Sequence, residues 1–476
     1  MRPFPRTAAV LAVALAWSVG SSAAGSVGTV PRPAALTVAA TAASPGSPGS
    51  GDSLFPSVGN GGYDVGHYSI GLRWFRDGHL NARTTVTAAA TQDLSAFDLD
   101  LEGLQVTRVV VDGVPASYER HGHELVITPG HSIANGQHFV TTVRYHGTPQ
   151  QHTDPDGSPD GWLGTRDGAT VLAEPVGAMT WFPDNNTPRD KATYAFTVTA
   201  PSDLTVESNG RLESKTSLAH ATRWAWRESD QMATYLASVS IGRYRVVRSH
   251  TAGGIPIVSY IDPRLGDAGG AVSRVPVVLD HWEDVFGPYP FTSAGIVIDD
   301  VNVGYALEVQ TRPVFPYSPG MPTLVHELAH QWFGDSVTPR DWSDIWLNEG
   351  FATYAEWLWE SRRRPGAPER HFQELYSSHG ANDPFWRPPV AEPPNGAALF
   401  GDAVYTRGAM ALQALRHAMG GPAFFTLLHR WPSLHREGNA NTLDLRRLAE
   451  RLSGKQLGAV FRDWLHSSTK PPVPYS

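Results

Sequence analysis

The chain has 476 residues, 41% of them hydrophobic, with 15 Trp and 18 Phe, which is ample for large cores and unlike a disordered composition. Its formal charge of −8, with no extended run of Lys or Arg, argues against nucleic acid as a partner. The absence of cysteine excludes disulfides, thiolate zinc sites and thiol catalysis.

Two or three domains are expected from the length. At the N-terminus, Arg2 and Arg6 precede the apolar run Ala8–Val19, which is too short to span a bilayer, and Ser22-Ala23-Ala24 offers a small-residue cleavage site. Residues 1–24 therefore read as a signal peptide for export, and residues 25–60, rich in Pro, Ala, Ser and Gly, as a flexible linker. No later apolar run is long enough to span a membrane, so no membrane insertion is expected.

Residues 61–245 read as an antiparallel β domain. Tyr194–Thr199, Val106–Val111 and Phe139–Tyr145 alternate with period two, and Asp112-Gly113 and Asn209-Gly210 are hairpin turn signals. His121-Gly122-His123-Glu124 has metal-like composition, but the same alternation explains it better as a short hairpin. Residues 246–476 read as a second, mainly helical α/β domain. Val275, Leu279, Trp282 and Phe286 recur at helical spacing before Gly287-Pro288, and 294–298 reads as a buried strand. Helices are expected over 344–360, 405–419, 424–431 and 443–452, with a polar surface loop over 377–394.

The most informative segment is His326-Glu327-Leu328-Ala329-His330, followed after eighteen residues by Glu349 in Asn348-Glu349-Gly350. On a helix, positions i and i+4 share a face, so both imidazoles can reach one ion. Catalytic zinc usually takes three protein ligands, and Glu349 on a second helix can supply the third. Glu327 can reach the water such an ion activates without being a ligand, as a general base must. A lone match would more often be a solvated helix face; the turn at 335–341 and the placed Glu349 speak for a site holding one zinc.

These residues, with Trp346–Ala352 around Glu349, resemble the aminopeptidase N family of gluzincin zinc peptidases. Trp181-Phe182-Pro183 with Lys191-Ala192-Thr193-Tyr194 resembles the family's β-domain signature, and Phe286–Phe291 the start of its catalytic domain. Val404–Ala409 resembles the segment that carries its catalytic tyrosine. The resemblance covers roughly 61–474 and implies a thermolysin-like catalytic domain, peptide substrates with a free N-terminus, and Tyr405 as oxyanion donor. It also implies that Glu308 grips the substrate's α-amine and that Glu174 is a second contacting acid. Two departures stand out. Tyr305-Ala306-Leu307-Glu308-Val309 stands where the family has Gly-x-Met-Glu-Asn, and the chain stops at Pro471–Pro474, where larger members continue into further domains, so a more open site is expected. A secreted, monomeric zinc aminopeptidase is the leading expectation. A zinc endopeptidase, an epoxide-hydrolysing relative and an inactive zinc-binding module are the alternatives.

Overall fold

The computed structural model describes residues 42–266 and 268–474, and Ala42 onward forms one compact unit. The expected signal peptide lies outside the described residues. The largest sheet has eight strands in the order 211–217, 221–232, 192–201, 63–74, 80–90, 138–147, 105–111 and 114–115. In Tyr63–Trp74 buried and more exposed positions largely alternate, as period two requires of a sheet with one covered face. The pairing is antiparallel except where Ala192–Pro201 runs parallel to Tyr63–Trp74. That pair comes from distant parts of the chain, which no hairpin joins and which no turn signal could announce. The Trp181-Phe182 and Lys191–Tyr194 segments meet in its core, where the rings of Tyr68, Tyr194, Phe196 and Trp181 stack in series at 5.1, 5.7 and 6.2 Å.

A second sheet of five strands positions the site. Its order is 151–153, 159–164, 169–172, 239–242 and 205–208, and the wholly buried Ala169–Leu172 strand leads directly to Glu174. His121–Glu124 forms the expected hairpin, with Gly122 at φ 66°.

Residues 42–60 are not a free linker. Ser44-Pro45 pairs with Leu94–Asp100, and buried Asp52 accepts the backbone N–H groups of Leu54, Phe55 and Trp342. The composition is that of a linker, but Asp52, Phe55 and Val58 give it anchors.

After residue 245 come two further strands, Arg245–His250 and Pro256–Ile261, which join Val297–Ile298 and Val314–Phe315 in a four-stranded sheet. The helices are α1 (Gly269–Val272), α2 (Val275–Phe286), α3 (Met321–Ala329), α4 (Trp346–Glu360), α5 (Ala367–Ser378), α6 (Gly408–Met419), α7 (Gly421–Leu434), α8 (Thr442–Ser453) and α9 (Gly458–Leu465). α2 stops where Gly287 takes φ 95°, a conformation glycine adopts without Cβ strain. α5 and α9 were not expected from the sequence, and the 377–394 loop is not wholly at the surface. Trp386 and Val390 are fully buried, and the Trp386 indole donates to Gly380 O at 2.8 Å. Among the described residues no helix is long and apolar enough to cross a membrane.

Candidate active site

α3 places His326 and His330 one turn apart, with ring centroids 4.8 Å from each other. α4 packs against α3 and begins close to Glu349. His326 Nε2 lies 3.1 Å and His330 Nε2 3.5 Å from the same Glu349 oxygen, Oε2. The outer ring nitrogens are occupied: His326 Nδ1 is 2.8 Å from Glu356 Oε1, and His330 Nδ1 is 3.0 Å from Phe333 O. Both partners only accept, so each Nδ1 carries a proton, which leaves each Nε2, on the Glu349 side, as the atom that would turn a lone pair to a bound metal. This is the outer-shell arrangement that orients histidine ligands on zinc.

The donor set therefore fits the ion. One ligand atom from each of His326, His330 and Glu349 lies within 4.8 Å of the others, and all three residues are largely buried. Without a cation, burial opposes charge on both histidines, yet the Glu349 and Glu356 carboxylates drive His326 well above the usual imidazole range. Glu308 and Glu349 likewise raise His330, to about 9. A bound cation would take the place of those protons. His326→Ala is expected to lower zinc content from about one per chain to near zero, because two remaining ligands hold the ion poorly. Metal analysis of the purified variant checks this, and full zinc retention would discard the triad.

A close backbone contact sets α4 against α6. A Cβ built on Gly350 would sit 3.0 Å from the Gly408 Cα, and one on Gly408 only 2.9 Å from the Gly350 Cα. Glu349 precedes one glycine and Tyr405 lies three residues before the other, so this approach fixes their relation. Tyr405 sits in a π-helical turn, Ala403–Arg407, that runs into α6. Its ring stacks on His326 with centroids 6.0 Å apart. Burial and the surrounding carboxylates push its hydroxyl well above the ordinary tyrosine range, so it stays a proton donor.

Glu308 follows Leu307, which bridges Val314, and its segment is clamped from two sides. Gln331, just past α3, donates to Glu308 O and accepts from Thr311 N–H, while Asn209 donates to Gln310 O and Gly210 N–H to the Thr311 hydroxyl. The two departures from the family motif are absorbed: Val309 is buried in the core, and the Tyr305 hydroxyl donates to Pro159 O at 2.7 Å. Glu308 Oε1 lies 3.8 Å from His330 Nδ1 and, like Glu174 Oε1, is buried without a hydrogen-bond partner. One carboxyl oxygen from each of Glu174, Glu308 and Glu349 lies within 4.8 Å of the others. Burial, then the neighbouring carboxylates, pushes Glu174 well above the usual carboxyl range. Burial also raises Glu327, to about 7, against the pull of His326 and His330.

His326, Glu327, His330, Glu349, Tyr405, Glu308 and Glu174, all anticipated from sequence, line one cleft of about 760 Å³, its open mouth included. Sequence reasoning missed Glu356, although it lies seven residues, two helical turns, beyond Glu349 on α4. It also missed the Phe333 carbonyl, which no side-chain pattern reveals, and the Asp154–Ser158 turn that lines the cleft.

Two family models match in chain order: the Peptidase M1 N-terminal domain over 65–236 and the Peptidase family M1 domain over 320–464. The chain belongs to the M1 peptidase family. Among M1 relatives it is 29% identical over 341 residues to Aminopeptidase M1 of Arabidopsis thaliana, covering 64% of this chain and 37% of the relative. It is 28% identical over 311 residues to Aminopeptidase N of Streptomyces lividans, covering 58% and 35%. The chain thus spans little more than a third of these curated relatives. Against the crystal structure of an M1 zinc metallopeptidase from Deinococcus radiodurans the TM-score is 0.80 at 29% identity, with 89% of this chain and 98% of that one covered. A mutant of an M1 zinc metallopeptidase from that organism, bound to a Tyr-Ser-Ala substrate, gives a TM-score of 0.81 at 28% identity, covering 90% and 99%. The two-domain M1 fold, β domain followed by helical catalytic domain, is therefore common to both.

Proposed function

We propose that this chain is a secreted zinc aminopeptidase that removes the first residue of peptides with a free N-terminus. The observation that carries the reading is the pair of buried carboxyls, Glu174 and Glu308, each with one oxygen that accepts no hydrogen bond, in the cleft of the His326–His330–Glu349 triad. Buried carboxylates without donors are costly unless a cation completes them. A substrate ammonium is such a cation, and held there it sets the register, so that the first peptide bond lies over the metal position.

When bound by His326, His330 and Glu349, zinc supplies Lewis-acid polarisation of a carbonyl and activation of water. Glu327, buried beside the triad, takes the water's proton and returns it to the leaving amine. The Tyr405 hydroxyl, kept protonated, donates to the oxyanion that develops as the carbonyl carbon becomes tetrahedral. Glu356 and Phe333 O hold the two imidazoles in the orientation this requires. The Tyr-Ser-Ala peptide of the Deinococcus mutant structure is of the substrate class proposed here. The export part of this reading rests on the signal-peptide pattern of residues 1–24.

The test is a panel of aminoacyl chromogenic substrates and their N-acetylated counterparts, with and without a chelator. Chelator-sensitive hydrolysis confined to free amines is expected; equal cleavage of the acetylated set would point to an endopeptidase. In the same assay Tyr405→Phe should lower kcat by roughly 10²–10³, the usual size for one oxyanion donor. A variant indistinguishable from wild type would remove Tyr405 from the mechanism.

A further inference from the structure

The cleft continues beyond the residues that the mechanism uses. It is lined as well by Tyr305 and by Asp154, Asp156 and Ser158, from the connection between strands Gln151–Thr153 and Pro159–Gly164. Asp154 is only 7% exposed, and its Oδ1 has no hydrogen-bond partner. Asp160 is fully buried with neither carboxyl oxygen hydrogen-bonded. One ligand atom from each of Asp154, Asp160 and His152 lies within 4.8 Å of the others. His152, whose Nδ1 lies 2.8 Å from Glu102 Oε2, lowers both acids electrostatically but only partly offsets their burial.

A carboxyl buried without a donor is an incomplete interaction. Burial raises Asp154 above the ordinary carboxylate range, and burial with the nearby Asp154 raises Asp160 further still. Asp154 differs from a structural acid in facing the substrate cleft. Tyr305 lines the same cleft within electrostatic reach of both Asp154 and Glu174; its hydroxyl is held by Pro159 O, and with Phe400 it adds aromatic surface to the lining. A lining of this kind suits the alkyl stem of a lysine or arginine, which packs on apolar surface while its charged end seeks an acceptor.

We propose that Asp154, with Asp156 at the rim, receives the cationic side chain of the substrate's first residue, so that peptides beginning with arginine or lysine are preferred. This rests on the aminopeptidase reading above. Glu174 and Glu308 hold the α-ammonium, and the two acids of the turn hold the second positive charge. A neutral first residue leaves Asp154 unpaired and forgoes that interaction.

The zinc-loaded full chain is assayed with arginine, lysine, leucine and methionine 4-nitroanilides as wild type, Asp154→Asn and Asp156→Asn. Wild type is expected to favour arginine and lysine over methionine by at least about tenfold in kcat/KM. The arginine-to-methionine ratio should fall roughly 10- to 100-fold in Asp154→Asn, as for loss of a buried charge-assisted contact, and severalfold in Asp156→Asn. Asp156 is exposed, so its variant still reports on the preference if Asp154→Asn misfolds. Wild type that cleaves leucine and methionine substrates with no preference for basic residues overturns this proposal and leaves the aminopeptidase reading standing. Wild type that cleaves no free-amine substrate overturns both. Loss of a second metal equivalent in Asp154→Asn with the ratio unchanged would make the turn a metal site and likewise overturn it.

Discussion

Glu327→Gln is expected to keep its zinc and its thermal stability while losing activity by several orders of magnitude. The substitution is isosteric, and Glu327 is not one of the three groups whose donor atoms converge on the metal position. What disappears is the one carboxylate placed to move a proton from water to the leaving amine. Glu327 shares a close cluster with Glu308 and His330, their ligand atoms within 4.8 Å of one another. A positioned acid–base group contributes typically 10²–10⁴-fold, and loss of the only one here should reach at least the upper part of that range. Metal analysis, a melting curve and kcat on one preparation decide it. Activity within tenfold of wild type, with zinc intact, would assign the base elsewhere; loss of zinc would mean that Glu327 supports the ligands.

What the sequence disclosed follows the range of the interactions. The His326, His330 and Glu349 donors are set by helix periodicity and a short turn, so spacing alone placed them. Strand class in the β domain was equally local, written in the alternation of segments such as Tyr194–Thr199. Tyr405, Glu308 and Glu174 come from separate segments, and only family resemblance assembled them before the fold did. Contacts made across the fold were not legible. The parallel pairing of Ala192–Pro201 with Tyr63–Trp74 has no turn to announce it. Linker-like composition at 42–60 concealed Asp52, whose acceptors reach Trp342, 290 residues away. α5 has few fully buried apolar positions, Ala367, Pro368 and Phe372, too few for a clear helical stripe. Tyr305, a departure from the family motif, makes physical sense only once Pro159 O is seen to receive its hydroxyl.

Glu308→Ala should decide the reaction class. Glu308 is buried, has an oxygen with no donor, and lies within 4.8 Å of Glu174 and Glu349 carboxyl oxygens in a cluster that a substrate ammonium would complete. Truncating one partner of a buried charge pair costs about 2–5 kcal/mol, so kcat/KM for free-amine substrates should fall roughly 30- to 5,000-fold. The backbone should not move to compensate, because Gln331, Asn209 and Arg312 grip the segment through hydrogen bonds that do not involve the Glu308 side chain. Zinc content should also hold, since Glu308 is not among the three ligands. An acetylated peptide carries no ammonium, so any residual cleavage of it should be far less sensitive to the substitution. Comparing both substrate types on wild type and variant therefore separates binding of the amine from general damage to the site. Efficient wild-type cleavage of the acetylated peptide, unchanged in Glu308→Ala, would show that the cleft reads the chain interior rather than its end, and the enzyme would then be an endopeptidase.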